Sequence, residues 1–333
     1  PTGEAPKERD SHTLTYVGND KLLLFGGQGL KTDNDRKLRQ TKLQTYKVFQ
    51  NKELFNDTHM YDAAKNSWHR ILCKSQVPFS RRGHTATYIP PMHHAHRQVA
   101  SAGIDDGSLV IYGGSGMDTF TGIEVAFNDL WVYSPETELW ALTNTKGTPP
   151  IPSYLHAATL QGDFLMIMGG ITDPNPPTAI PTSKEKGNQG VKSLTQGIVY
   201  QKPKSGIMML NVRTLCWSHL EVNSPDTNQL AGVYNYGLAA VSDPTNPDNI
   251  FVFGGRDTAD GVADKKNSNR KQFAGKRRTG VVNRPCYAWS LDIRKCTLTR
   301  INTIARPPPN RYGHFCFSVL PSDYRALFFD RHK

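Results

Sequence analysis

Three sets of residues in this 333-residue chain have the type and spacing to do chemistry. The first is His93-His94-Ala95-His96, because clustered imidazoles are metal ligands. Asp105 and Asp106 follow, but no cysteine or carboxylate stands at helical or hairpin spacing, so the stretch reads as a metal-free surface insertion. The second set is the recurring His12, His84, His156 and His314. A shared metal would need all four to converge on a shell of about 2 Å. The expectation is instead that each imidazole hydrogen-bonds within its own repeat, since buried polar groups need partners. The third set is basic. Arg9, Arg81, Arg82 and Arg311 precede those histidines, and denser runs carry Lys37, Arg39, Lys42, Lys265, Lys266, Arg270, Lys271, Lys276, Arg277 and Arg278. Guanidinium and ammonium groups at that density attract carboxylates and phosphates. The chain has no Ser-His-Asp motif, glycine-rich phosphate loop, HExxH or paired carboxylates in a recognisable frame. The reading is therefore a chain with no catalytic residue, no cofactor and no metal, which is not an enzyme.

The elements that must position these residues recur along the chain. Leu22-Leu23-Leu24-Phe25, Leu109-Val110-Ile111-Tyr112, Phe164-Leu165-Met166-Ile167-Met168 and Ile250-Phe251-Val252-Phe253 each end in two glycines: Gly26-Gly27, Gly113-Gly114, Gly169-Gly170 and Gly254-Gly255. Each reads as a buried strand with a special backbone at its end. A fifth run, Ala326 to Phe329, continues into Asp330 instead. After each full run come Tyr61-Asp62 and Trp68, Tyr133-Ser134 and Trp140, Leu210-Asn211 and Trp217, then Leu291-Asp292 and Leu298. The constant interval predicts a strand, a tight turn and a second strand. Asn56-Asp57-Thr58 reads as the turn that opens such a strand rather than as a glycosylation site. Before each run stands a histidine strand, except that Gly237 replaces the histidine in the fourth unit. Four strands per unit, repeated along the chain, predict a β-propeller.

The order histidine, Gly-Gly, Tyr-Asp, Trp resembles the kelch repeat over nearly the whole chain. The resemblance implies an all-β, kelch-type propeller of four-stranded antiparallel blades, six in a complete protein. The units run about 7–73, 79–143, 151–221 and 231–301, with a partial unit at 309–333, and read as a single domain of a longer protein. Pro1 to Pro6 reads as an inter-blade linker, like Gly147 to Pro150 and Arg306 to Pro309. Kelch propellers of this kind are mostly scaffolds and adaptors, some fused to a phosphatase, and a few are enzymes such as a copper oxidase.

Charge locates the expected surface. Connections 28–53, 115–126, 171–205 and 256–284 all join the second and third strands of a unit, so all should emerge at one face. Their net charges are +4, −2, +3 and +6, together equal to the +11 of the whole chain. This predicts a basic docking face for an acidic protein partner. Nucleic acid ranks below it, because only Tyr46, Phe49, Tyr200 and Phe273 are available to stack on bases in these loops. Leu38, Leu43, Tyr46 and Phe49 could line a short amphipathic helix, while Pro174, Pro176, Pro177 and Pro181 predict an extended third loop. At the channel mouth the candidates are Arg9, Arg81, Arg82, Tyr154, Tyr234, Asn235 and Arg311, with Arg9, Arg82 and Arg311 expected at equivalent positions. Five scattered cysteines without CxxC spacing point to an intracellular setting, cytoplasmic or nuclear. No apolar stretch is long enough to span a membrane as a helix.

Overall fold

The computed structural model describes residues 1–30, 52–91, 103–117, 124–172, 207–223, 236–243, 245–256 and 288–302. These residues form four antiparallel blades, and the chain divides into two compact units. The first unit is built around blades 1 and 2, with Val212–Ser218 counted in it, and the second around blades 3 and 4. Blade 1 contains Thr13–Tyr16, Lys21–Phe25, Thr58–Asp62 and Ser67–Ile71. Blade 2 contains Thr85–Tyr88, Leu109–Tyr112, Leu130–Ser134 and Leu139–Leu142. Blade 3 contains Ala157–Gln161, Phe164–Met168, Ile207–Asn211 and Cys216–Leu220, and blade 4 Tyr236–Ser242, Asn249–Arg256, Ala288–Asp292 and Thr297–Ile301. Within each blade, strands neighbour one another in chain order, as the repeat predicts. The fifth, partial unit lies outside the described residues.

The apolar runs are the second strands, each lying between two neighbours of its own sheet, and most of their side chains are buried. Register sorts their side chains. In blade 1 Leu23 and Phe25 face blade 2, sharing rows with Met60 and Ile71. They meet Leu109, Ile111, Trp131, Tyr133 and Trp140 of blade 2. The Trp140 ring lies 4.9 Å from Phe25 and 4.9 Å from Tyr133. Within the same unit Trp217 lies 5.3 Å from Tyr112. In the second unit, Met166, Met168 and Ile207 pack with Ile250, Val252, Trp289 and Leu291. Leu298, which takes the tryptophan position there, is fully buried in the same cluster.

The tight turn before each tryptophan strand takes one form. Asn66, Glu138, Leu215 and Cys296, each two residues before the Trp or its Leu replacement, have φ of 49°, 57°, 58° and 52°. A non-glycine residue in that left-handed region carries a steric cost of about 1–2 kcal/mol. Glu138 is exposed, so nothing is lost by removing its side chain. Glu138→Gly should therefore stabilise the chain by about 1 kcal/mol in urea unfolding; a loss of stability would contradict the assignment of strain to this turn.

The linkers are also shared structure. Thr2–Gly3 runs parallel to the outer strand of blade 1, with Gly3 opposite Trp68. Lys146 meets Cys216 and Asn223 meets Thr297 in the same parallel sense. Thr2–Gly3 thus follows the same course as the described linker residues Lys146 and Asn223. Gly3 and Gly147, with φ of 85° and 78°, cross the tryptophan backbone where a Cβ would fall on the carbonyl oxygen of Trp68 or within 2.9 Å of that of Trp217.

Candidate functional site

Both glycines of every pair have positive φ, from 62° to 73° at the first and 89° to 97° at the second. The pair is where three pieces of backbone cross. A Cβ on Gly27 would lie 2.8 Å from the Asp10 carbonyl oxygen and 2.8 Å from the His12 Cβ, both in its own blade. One on Gly26 would lie 2.8 Å from the Arg81 carbonyl oxygen, which belongs to the next repeat. The Gly27 N–H donates to that Arg81 carbonyl at 2.8 Å, and the Arg81 N–H donates to the Phe55 carbonyl at 3.1 Å. Ser153 repeats both bonds one blade on, with Gly114 and Phe127.

The arginines at this crossing are anchored inward. Arg81 donates to both carboxylate oxygens of Asp129, at 2.6 and 2.7 Å, and to the Gly113 carbonyl at 2.9 Å. Its guanidinium lies 4.6 Å from the Phe127 ring centroid, and its side chain is 0 % exposed. Arg9 makes the same set with Asp57, the Gly26 carbonyl and Phe55. Burial disfavours the Asp57 carboxylate, but the hydrogen bonds and charge of Arg9 outweigh it and hold the carboxyl below its ordinary range. The equivalent of Arg9 is therefore Arg81, which corrects the expected alignment of Arg9 with Arg82. The sequence signal for this pair was a repeated Phe-Asn-Asp, at Phe55-Asn56-Asp57 and Phe127-Asn128-Asp129, set 48 residues from Arg9 and Arg81 to its aspartates.

Arg82 occupies the position of Asp10 instead. Asp10 bridges to Gln28 and Arg82 to Ser115, each at the base of a hairpin that continues past the glycines. The hairpins pair Gln28–Leu30 with Lys52–Leu54, and Ser115–Met117 with Glu124–Ala126. Lys52 and Glu124 are equivalent in register, opposite Leu30 and Met117. Charge is reversed between the two hairpins. Asp10 faces Lys52 at 3.9 Å, whereas Arg82 donates to Glu124 at 2.7 and 2.9 Å. Glu124 also accepts from the Ser115 hydroxyl at 2.7 Å, and the Arg82 guanidinium lies 5.9 Å from the Tyr154 ring. Arg82, Glu124 and Lys52 stay partly exposed, at 27 %, 43 % and 30 %.

Of the expected channel-mouth residues, Arg82 and half-buried Tyr154 are brought together, while Arg9 and Arg81 are committed to internal pairs. Tyr234, Asn235 and Arg311 lie outside the described residues. So do the basic-loop candidates Lys37, Arg39, Lys42 and Lys265 through Arg278, the helix expected near Tyr46, the proline-rich third loop and His93, His94 and His96. The histidine expectation changes as well. His84 Nε2 bonds Thr13 Oγ1 at 2.9 Å, so this imidazole ties its strand to the preceding blade. Burial, reinforced by the charge of Arg9, keeps His12 below the ordinary imidazole range. Among the described residues no group of three or more histidine, cysteine or acidic residues could hold a metal ion. No helix among them is long and apolar enough to cross a membrane.

No family model matches the chain. It is similar to host cell factor of Drosophila melanogaster, 24 % identical over 263 residues, covering 77 % of this chain and 14 % of that protein. It is similar to human host cell factor 2, 29 % identical over 174 residues, covering 51 % and 18 %. It also matches the flagellar outer-arm dynein alpha chain of Chlamydomonas reinhardtii, 25 % identical over 171 residues, covering 50 % and 3 %. The chain thus spans less than a fifth of each of these relatives. A solved structure, "Structure of YjhT", aligns with a TM-score of 0.50 at 16 % identity, covering 92 % of this chain and 73 % of that one. The fold is a kelch-type β-propeller.

Proposed function

We propose that residues 1–333 act as one propeller domain and serve as a non-catalytic protein-interaction module, a scaffold or adaptor that docks an acidic partner on its second-to-third-strand loops. The observation that carries this reading is the placement of charge. The chain's net +11 is matched by these loops alone, at +4, −2, +3 and +6. Long-range attraction from such loops raises encounter rates with a negative surface. The likeness to host cell factors, which share the propeller, favours a protein partner over a small-molecule substrate. Arg82 and Tyr154 would supply short-range contacts, since arginine and tyrosine make good anchors. Free thiols at Cys73, Cys216 and Cys296 suit an intracellular setting, cytoplasmic or nuclear.

Replacing Lys276, Arg277 and Arg278 together with serine should leave the unfolding midpoint unchanged and weaken partner binding at least about tenfold, with a shallower dependence on salt. Unchanged affinity would return that loop to a solubilising role. Polyanion competition separates the nucleic-acid reading: binding that any polyanion displaces at moderate salt is charge alone.

A further inference from the structure

Blade 1 carries a titratable group at a place where blade 2 carries none. Two residues after the equivalent Asp57 and Asp129 stand His59 and Trp131, opposite Leu24 and Ile111 in register. The Trp131 indole N–H donates to Asp129 Oδ2 at 2.7 Å and completes the set that Arg81 makes with that carboxylate. In blade 1 an imidazole takes the place of the indole. His59 Nδ1 is buried 3.5 Å from Asp57 Oδ2 and makes no hydrogen bond among the described residues. The carboxylate already accepts from Arg9, at 2.6 and 2.8 Å. Arg9 in turn anchors segment 2–10, which runs from the outer strand of blade 1 to its hairpin. Thr2 and Glu4 N–H donate to the Asn66 and Trp68 carbonyls at 3.0 and 3.1 Å, Lys7 meets Glu53 at 3.3 Å, and Asp10 N–H donates to the Gln28 carbonyl at 2.8 Å. The charges that face His59 are Asp57 just before its strand, Arg9 and Glu4 on the segment, and Arg70 opposite on the outer strand. Leu24 and Leu14, in the same row on the other two strands, are apolar. Burial holds the imidazole below its ordinary range, and Arg9 and Arg70 add to this against the pull of Asp57 and Glu4.

We propose that segment 2–10 is a strap on blade 1 that protonation of His59 releases. A proton on this ring places a second cation beside the buried Arg9 guanidinium, with Asp57 as the nearest carboxylate. Imidazolium and guanidinium then compete for Asp57 Oδ2, which Arg9 Nη2 holds at 2.8 Å in the closed form. Lifting the strap removes the Arg9 charge and opens the ring to water, and both changes favour the proton. Loss of Glu4 acts the other way, but it is the weakest of these influences. The open form therefore takes up a proton near the ordinary imidazole value of about 6.5, and the closed form only at lower pH. The strap is held at neutral pH and weakened as pH falls below about 6.5, because opening then binds a proton. Trp131 has no proton to take up, so the Arg81 crossing stays shut over the same range.

The test is amide hydrogen exchange in the full chain, with each rate divided by its intrinsic value at the same pH. The Glu4 N–H reports the strap. The Lys146 N–H, which donates to the Leu215 carbonyl at 2.7 Å, reports a linker on the same parallel course. Between about pH 7.5 and about pH 5.5, protection at Glu4 should fall about tenfold, the factor for one proton taken up below about 6.5, while Lys146 stays constant. His59→Gln should abolish the fall. His12→Gln should leave it in place, although burial depresses that imidazole as well. Should the His59 variant fail to fold, the titration of the His59 ring followed by NMR in the unaltered chain decides. The ring should gain its proton below about 6.5, in step with the loss of protection at Glu4. Protection that is constant or rises in acid overturns the proposal. So does a fall that survives His59→Gln or disappears with His12→Gln, or a His59 ring that titrates above about 6.5.

Discussion

Arg81→Met should cost about 3–5 kcal/mol of stability in urea unfolding, because it removes one member of a buried ion pair. The reason is what remains. Asp129 keeps only the Trp131 indole N–H at 2.7 Å from among its present donors, with its side chain 25 % exposed. Removing one member of a buried pair leaves the other charge uncompensated, which costs far more than the pair contributes net. The double variant Arg81→Met with Asp129→Leu should recover much of the loss, a coupling that single changes at distant sites do not show. Arg82→Met is the control. Its pair with Glu124 is partly exposed, so its loss should stay within about 1 kcal/mol. Equal effects at positions 81 and 82 would contradict the division of labour between these neighbouring arginines.

Gly114→Val should be comparably severe, at about 3 kcal/mol or more, or should abolish folding. Two costs add there. Its φ of 96° is a region valine does not enter, and a Cβ would lie 2.8 Å from the His84 Cβ and 2.9 Å from the Arg82 carbonyl oxygen. Neither neighbour is the free end of a flexible side chain. Gly107 isolates the first cost. Its φ is 81°, but nothing lies within 4 Å of the added Cβ, so Gly107→Val should lose only about 1–2 kcal/mol by thermal unfolding. Similar losses at 107 and 114 would mean that strain alone, not the crossing of backbones, explains the double glycine.

Much of the blade was legible in the sequence because it rests on local signals repeated in register. Four apolar runs, four glycine pairs and a constant turn length identify strands and order without any long-range knowledge. The constant turn is explained by a left-handed residue at each of Asn66, Glu138, Leu215 and Cys296, a conformation that no glycine marks. What could not be read were contacts that pass from one repeat to the next. His84 bonding Thr13 and Arg81 bonding Phe55 join residues 71 and 26 apart, and neither distance carries a sequence signature. The arginines show the same limit at the site. Arg81 and Arg82 are adjacent and chemically identical, yet one is sealed against Phe127 and the other stays at the surface with Glu124. Only the repeated Phe-Asn-Asp could have separated them, and it becomes informative once read as an aspartate partner rather than a turn.

The Arg81 crossing has a consequence for how this chain can be cut or rearranged. Its main chain completes the blade before it, while its side chain completes the blade it opens. The stretch duplicated in sequence and the stretch that stands up as an autonomous body are thus out of phase. Excising a repeat at its sequence borders would sever obligations in both directions at once. A transplantable module would have to carry the opening residues of its successor, through at least Arg82. Thermal or chemical melting of blades 1 and 2 should for the same reason be a single event, unlike an open solenoid, whose repeats can fray from the end one at a time.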